Sequence, residues 1–400
     1  MRTQATATFA ILFTLGMVAA SSAAELAILG PDNWDKLVPQ GKEVDAIYGD
    51  IVLRNDRLVA VIARPVPTRN ANMTVKNVGG CLIDFTLRDA QNDQLSAWYP
   101  LGKSFHWQPV AAVPTAAEGP KVRYSVTATI AEGLAAETTY ELADGSDFLN
   151  VETKLTNSTD KPINEIPSDE IRADGTVYAK GKSETMSWAY DRWWNAAYGV
   201  LTGRETSKDT AVIPAHGSLV VARRIYVAAD LNDLQQLALQ PAAGSQPTTI
   251  TVLDDSGRPI ANAYVEIKDD KKMLVAGKSG GDGKLVALLS INAQATASSA
   301  AHGEATADLA PGQSLELRLP TAGTVVAAIV DAAGKPIPCK LQFRGRDGTK
   351  EPFFFDKSGE HAVGNLYYSH DGRFRVDLPP GKYDCTISHG PEFDIVEQPI

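Results

Sequence analysis

The chain has 400 residues and a formal net charge of −10. That acidic balance, with no Lys/Arg cluster to offset it, excludes nucleic acid and anionic lipid as partners, because both are held by basic surfaces that displace counterions. The length exceeds what one hydrophobic core usually supports, so two or three domains are expected.

The N-terminus carries Arg2, an apolar run over residues 9–20, and the small residues Ser22 and Ala24 at minus three and minus one before Glu25, which is the pattern of a secretory signal peptide. The run is about a dozen residues, against the roughly 18 to 20 of a membrane span, so residues 1–24 are expected to be cleaved, with retention as an anchor the alternative. Cleavage removes Arg2 and takes the net charge to about −11. No later segment is apolar enough to span a bilayer, and a secreted or periplasmic location is expected.

Beyond the leader, helical periodicity is nearly absent and period-two alternation recurs, predicting an all-β protein. Residues 51–53 and 58–62 are apolar runs separated by Arg54-Asn55-Asp56-Arg57, whose Asn-Asp centre tolerates positive φ and suits a hairpin turn. Cys81 lies between Gly79-Gly80 and the apolar Leu82-Ile83, the setting of a buried inert thiol. Val122, Tyr124, Val126 and Ala128 alternate with polar neighbours, as do Leu149, Val151, Thr153 and Leu155, so both stretches read as half-buried antiparallel strands. A turn is expected at residues 143–146. One helix is expected from an Asp230 N-cap, with Asp233 in its first turn and Leu231, Leu234, Leu237 and Ala238 on one face.

Residues 25–240 thus form one large predicted β-sandwich, and the Pro/Gly/Ala/Ser stretch 241–247 is a linker. An internal repeat follows. Asp254-Asp255-Ser256-Gly257-Arg258-Pro259-Ile260 recurs 77 residues later as Asp331-Ala332-Ala333-Gly334-Lys335-Pro336-Ile337. Each copy leads to a second turn, at Asp282-Gly283-Lys284 or Asp371-Gly372-Arg373. Two small Greek-key sandwiches in tandem are expected, over residues 248–320 and 321–400. The Ala/Ser/Thr-rich residues 293–301 predict thin packing in the first of them. Tyr383 stands two residues before Cys385, the spacing of a tyrosine corner. Cys339 is the candidate disulfide partner of Cys385, a bridge worth about 4 kcal/mol in the chain-entropy model, with two free buried thiols the equal alternative.

The paired Gly-(Arg/Lys)-Pro-Ile turns and the Gly381-Lys382-Tyr383 element resemble carboxypeptidase regulatory-like domains, which implies a transthyretin-like sandwich without catalytic activity. Residues 335–343, Arg346-Asp347-Gly348-Thr349 and Ser388-His389-Gly390-Pro391-Glu392-Phe393-Asp394 resemble the segment that precedes the catalytic domain in exported metallohydrolases of the CehA/McbA type. In that family a PHP-type domain with clustered metal-binding His and Asp follows, whereas this sequence stops at Ile400, so the resemblance covers the accessory part. Residues 49–56 and 79–84 are similar to the leading portion of the same family, and residues 140–152 resemble galactose-mutarotase-like supersandwiches, many of which handle carbohydrate.

Catalytic chemistry finds little support. The six histidines, at 106, 216, 302, 361, 370 and 389, include no His-x-His pair to seed a hydrolytic metal site, so no metal and no cofactor are expected. Gly277-Lys278-Ser279-Gly280-Gly281 matches a nucleophile elbow in letters, but it runs into Asp282-Gly283 and reads as a hairpin loop. A mutarotase would need an acid and a base across a sugar ring, and Glu170 or Asp169 with His106 or His216 are the available pairs, none singled out by spacing.

The most distinctive stretch is residues 186–195, with Trp188, Tyr190, Asp191, Arg192, Trp193 and Trp194. Aromatic faces beside Asp, Arg and Asn suit a carbohydrate site, while the competing reading packs the same rings in the sandwich core with Arg192 held by cation–π contact. Pro352-Phe353-Phe354-Phe355-Asp356 is either a docking edge or a buried corner. The first expectation is therefore an exported, non-catalytic binding or accessory protein, with carbohydrate or an envelope protein as partner. The alternatives are the accessory region of a PHP-type metal-dependent hydrolase and a structural spacer.

Overall fold

The computed structural model describes residues 23–90, 92–102, 108–115, 120–165, 168–173, 178–183, 185–202, 211–241, 243–270, 272–355 and 362–400. All but the last two residues of the predicted signal peptide lie outside the described residues, as do His106, His361 and Asp356. The protein is all-β, a large N-terminal sandwich followed by two small ones.

The first sandwich stacks a six-stranded sheet on an eight-stranded one. The six-stranded sheet orders Glu25–Ile28, Ile51–Arg54, Leu58–Ile62, Leu82–Leu87, Leu95–Tyr99 and Glu170–Ala173. Its central strands are buried along their whole length because both faces are covered. One face meets the eight-stranded sheet, and the other packs under Leu37 of the short helix Trp34–Leu37 and under Leu29, Ala46 and Val78 from the loops. Continuous apolar runs instead of alternation are the sequence correlate of such two-sided burial.

The eight-stranded sheet orders Tyr178–Lys182, Met186–Asp191, Ala196–Thr202, Ser218–Ala228, Phe148–Asn157, Leu134–Ala143, Lys121–Ala131 and Gln108–Thr115. Here the alternation is clean: Val122, Tyr124, Val126 and Ala128 are buried and their neighbours are not. Between the sheets lie Leu53, Leu58, Phe85 and Trp98 against Tyr124, Tyr140, Val151 and Ile225, each side chain worth about 1.5–3 kcal/mol of apolar burial. The Tyr140 hydroxyl donates to the Gly80 carbonyl at 2.8 Å, which satisfies its one polar atom inside that core.

The hairpin over residues 51–62 forms, but its turn is closed by a side chain. Asn55 Oδ1 accepts from Arg57 N and Leu58 N, both at 2.8 Å, while Nδ2 donates to the carbonyls of Ala143 and Ser146 at 2.8 and 3.0 Å. One fully buried amide thus ties a turn of one sheet to a turn of the other.

The helix spans Leu231–Ala238, with Asp230 as N-cap accepting from Asp233 N at 2.9 Å. Leu231, Leu234 and Ala238 face inward, whereas Leu237 is 41% exposed and drops from the expected buried face. Gly199 lets the helix close on the sheet, since a Cβ there would come within 2.9 Å of Met186 and 3.0 Å of Leu234.

The middle sandwich pairs a three-stranded sheet (Lys284–Leu289, Gln246–Asp254, Ser314–Leu319) with a four-stranded one (Lys272–Lys278, Tyr264–Asp269, Ala293–Ser299, Gly303–Leu309). Its core cluster consists of Ile, Val, Leu and Ala, with Ala295 and Ala297 fully buried where the sequence is poorest in large side chains. The third combines Gly323–Ala328 and Arg373–Leu378 with a six-stranded sheet, Phe354–Phe355, Ala362–Gly364, Leu366–Ser369, Cys339–Arg346, Lys382–Ser388 and Val396–Pro399. Its core carries Phe343, Phe354, Phe374 and Tyr383.

The two repeat copies fold alike. Asp254 Oδ1 accepts from Ser256 N and Arg258 N, and Asp331 Oδ1 from Ala333 N and Lys335 N, all at 2.9 Å. Gly257 and Gly334 follow at φ +82° and +79°, a region in which glycine alone is unstrained. The Tyr383 hydroxyl donates to the Pro379 carbonyl at 2.7 Å, the bond of a tyrosine corner.

The candidate disulfide is corrected. Cys339 and Cys385 are both free, on hydrogen-bonded strands of the same sheet. Cys385 pairs with Phe343, four residues along the strand from Cys339, an offset of roughly 13 Å, where a bridge needs Cα atoms within about 7 Å. Burial pushes the Cys385 thiol up to about 11. Cys81 is fully buried and its thiol is likewise raised by desolvation, which leaves it inert.

Candidate functional site

The strands Met186–Asp191 and Ala196–Thr202 form a hairpin whose turn is organised by Asp191. Its Oδ1 accepts from Trp193 N at 2.8 Å and Trp194 N at 3.3 Å, and Asn195 completes the reversal at φ +52°. Asp191 is fully buried, so this carboxylate shapes the loop that presents the two tryptophans.

The six candidate residues divide by position. Trp188 and Tyr190 point away from the core between the sheets and are 7% and 1% exposed. They pack on the outer face of the eight-stranded sheet with Met186, Tyr226, Leu231 and Leu234, and with Tyr264 and Ala276 of the middle sandwich. The Tyr190 and Tyr264 rings stack at 6.4 Å, and burial raises both phenols. Arg192 spans the boundary: its guanidinium lies 4.3 Å from the Trp193 ring centroid, 5.0 Å from that of Tyr264, and 3.6 Å from Glu266 Oε1. Trp193 in turn meets Phe353 of the third sandwich, the centroids 4.7 Å apart. One hairpin therefore touches both following sandwiches. The expected cation–π contact is present, but its setting is a junction.

Within the Phe-rich stretch the roles split. Phe354 is buried against Phe343 and Tyr367, while Phe353 is 48% exposed and reaches Trp193. Trp193 and Trp194 are half-buried, so Trp193, Trp194, Phe353 and the Arg192 guanidinium provide aromatic and polar surface open to solvent.

The mutarotase pairs are not assembled among the described residues. Asp169 is held in a buried two-point ion pair by Arg223, Nε to Oδ2 at 2.7 Å and an Nη to Oδ1 at 2.8 Å, and it also accepts from Leu101 N. Arg223 further donates to Thr153 and lies over the Trp98 ring, so this pair fastens the two sheets together. Glu170 pairs with Arg172, and His216 pairs with Asp160 on the surface. The Ser279 hydroxyl is 2% exposed, donates to the Ile260 carbonyl at 2.7 Å and accepts from Ala263 N, which makes it a fastener and not a nucleophile. No group of three or more His, Cys, Asp or Glu that could hold a metal occurs among the described residues.

Sequence reasoning missed a buried polar cluster in the first sandwich. Asp50, Asp84 and Asp93 are fully buried; Asp50 binds Arg69 at 2.8 Å, Asp84 accepts from Asp45 N, and Asp93 accepts from Phe85 N. The second oxygens of Asp84 and Asp93 have no partner, and burial raises both carboxyls well above their ordinary range. The available signal was an aspartate inside the apolar run of residues 81–85.

No protein-family model and no curated protein sequence matches this chain. Among solved structures it is similar to a TPR-domain containing protein from Parabacteroides distasonis, at 8% identity and TM-score 0.33, over 48% of this chain and 49% of that one. It is also similar to the periplasmic domain of Thermotoga maritima YidC, at 9% identity and TM-score 0.32, over 48% and 88%. A putative aldose 1-epimerase from Klebsiella pneumoniae matches at 10% identity and TM-score 0.28, over 51% and 91%. The aligned part spans about half the length of the first two structures matched, 49% and 52%. Among the described residues no helix is long and apolar enough to cross a membrane.

Proposed function

We propose that this chain is an exported, non-catalytic binding or accessory protein that engages carbohydrate through the aromatic patch where the first and third sandwiches meet. The observation that carries this reading is the half-buried Trp193 ring set beside Phe353, with the Arg192 guanidinium stacked over it. Apolar ring faces suit the C–H faces of a sugar, and a guanidinium supplies directional donors to its hydroxyls. The buried turn carboxylate of Asp191 presets the loop, which lowers the ordering cost of binding.

The test is intrinsic tryptophan fluorescence titrated with soluble glycans and oligosaccharides. A saturable change is expected that disappears in Trp193→Ala and in Phe353→Ala, with far-UV circular dichroism unchanged. Silence across the panel overturns the carbohydrate reading and favours a spacer.

A further inference from the structure

A second site, separate from the aromatic patch, lies on the other flank of the same hairpin. A cleft of about 370 Å³ opens between Lys182, Ser183 and Trp188, the helix Leu231–Ala238, the linker after it, and the middle sandwich. Trp188, Leu239, Met273, Leu274 and Ile291 make its walls apolar. The volume falls at the lower end of the range for small-molecule sites, which are mostly apolar with a few placed polar groups.

Three features define what fits. The Trp188 indole lies on its cross-strand partner Gly181, where any Cβ would collide with the ring, so the wall is fixed by a missing side chain. Three of the four carboxamides that line the cleft tie the helix to the middle sandwich: Gln235 donates to the Leu274 carbonyl at 2.7 Å, and Asn232 and Gln236 donate to the Val286 carbonyl at 3.2 and 3.3 Å. Those bonds lock the helix to the middle sandwich and preform the cleft. The charge is one-sided as well. Lys182 and Lys272 border the cleft, and none of its described lining residues is acidic, in a chain whose net charge is −10. Both lysines are exposed.

We infer that this cleft binds an amphipathic anion, an alkyl chain bearing a single carboxylate head, with the chain along Trp188, Met273 and Leu274 and the head between Lys182 and Lys272. An alkyl chain gains from the apolar walls in proportion to the area it removes from water, about 25 cal/mol per Å². The head gains from two cations at the solvent boundary, a contribution that salt weakens.

The experiment is isothermal titration calorimetry of the full chain with dodecanoate below its micellar concentration, beside 1-dodecanol and acetate. Saturable one-site binding is expected for dodecanoate alone. Affinity should fall about tenfold in the Lys182→Gln/Lys272→Gln variant, whose two surface changes leave the core untouched. It should also fall with added salt, and remain unchanged in Trp193→Ala, which separates this site from the carbohydrate patch. Equal binding of dodecanoate and dodecanol, indifference to the lysine changes, or no heat with dodecanoate would each overturn the inference.

Discussion

Asp93 shows how much one buried side chain demands. Its Oδ1 accepts from Phe85 N at 2.7 Å and Leu95 N at 3.4 Å, its Oδ2 has no partner, and the carboxyl of Asp84, the residue before Phe85, is buried beside it. Desolvation, reinforced by Asp84 and Asp45, raises the Asp93 carboxyl well above its usual range, so the folded protein holds this proton more tightly than the unfolded chain, which releases it near pH 4. A raised folded value means that the stability contribution is complete below about pH 4 and is lost as pH rises from there. Asp93→Asn keeps an acceptor at Oδ1 and removes the titration. Its melting temperature should therefore gain on the native protein as pH rises from 4 to 9, measured by calorimetry across that window. A difference that stays flat with pH would show that the Asp93 carboxyl is not protonated in the fold.

At the scale of elements, the repeated turns carry the small sandwiches. Gly283 and Gly372 occupy equivalent second turns at φ +76° and +78°, and each carbonyl accepts from the segment before the first turn, from Val252 N at 2.8 Å and Ile329 N at 2.7 Å. A Cβ on Gly372 would approach the Ile329 carbonyl to 2.7 Å, and one on Gly283 the Val252 carbonyl to 2.6 Å, whereas Gly334 has open space around it. Gly334→Ala should cost about 1 kcal/mol from backbone strain alone. Gly283→Ala and Gly372→Ala add a steric clash and should cost about 2–4 kcal/mol in denaturant unfolding. Equal losses at all three positions would refute the close approach as the reason for glycine.

For the whole molecule, the arrangement of the sandwiches rests on a few side chains at the junction. Arg192 stacked between Trp193 and Tyr264 is worth about 0.5–2 kcal/mol per partly desolvated contact, and the Tyr190–Tyr264 stack adds about 0.5–1.5 kcal/mol. Asp230 contributes from the helix end, accepting from Lys278 N at 3.3 Å, and Gly277 admits it, since a Cβ there would come within 2.8 Å of its carboxylate. An Arg192→Ala/Tyr264→Ala variant should keep its strand content by circular dichroism yet show a larger radius of gyration by small-angle X-ray scattering. An unchanged scattering profile would place the rigidity elsewhere, in the helix and linker.

Local patterns in the sequence determined the all-β class, the alternating strands over residues 122–128 and 149–155, the Asp230 cap and the repeated Asp-x-x-Gly turns, because strand period, capping and turn chemistry are set by neighbours along the chain. The tyrosine corner was legible for the same reason, its bond closing over four residues. Only the tertiary structure decided that Asn55 ties two turns across the sandwich, that Cys339 and Cys385 lie out of register, and that Asp169 belongs to Arg223. It also decided that residues 186–195 face neighbouring sandwiches. An alternating strand reports that one face is covered but not by what, and the partners Tyr264, Glu266 and Phe353 lie from about 70 to 160 residues downstream, where no local period reaches.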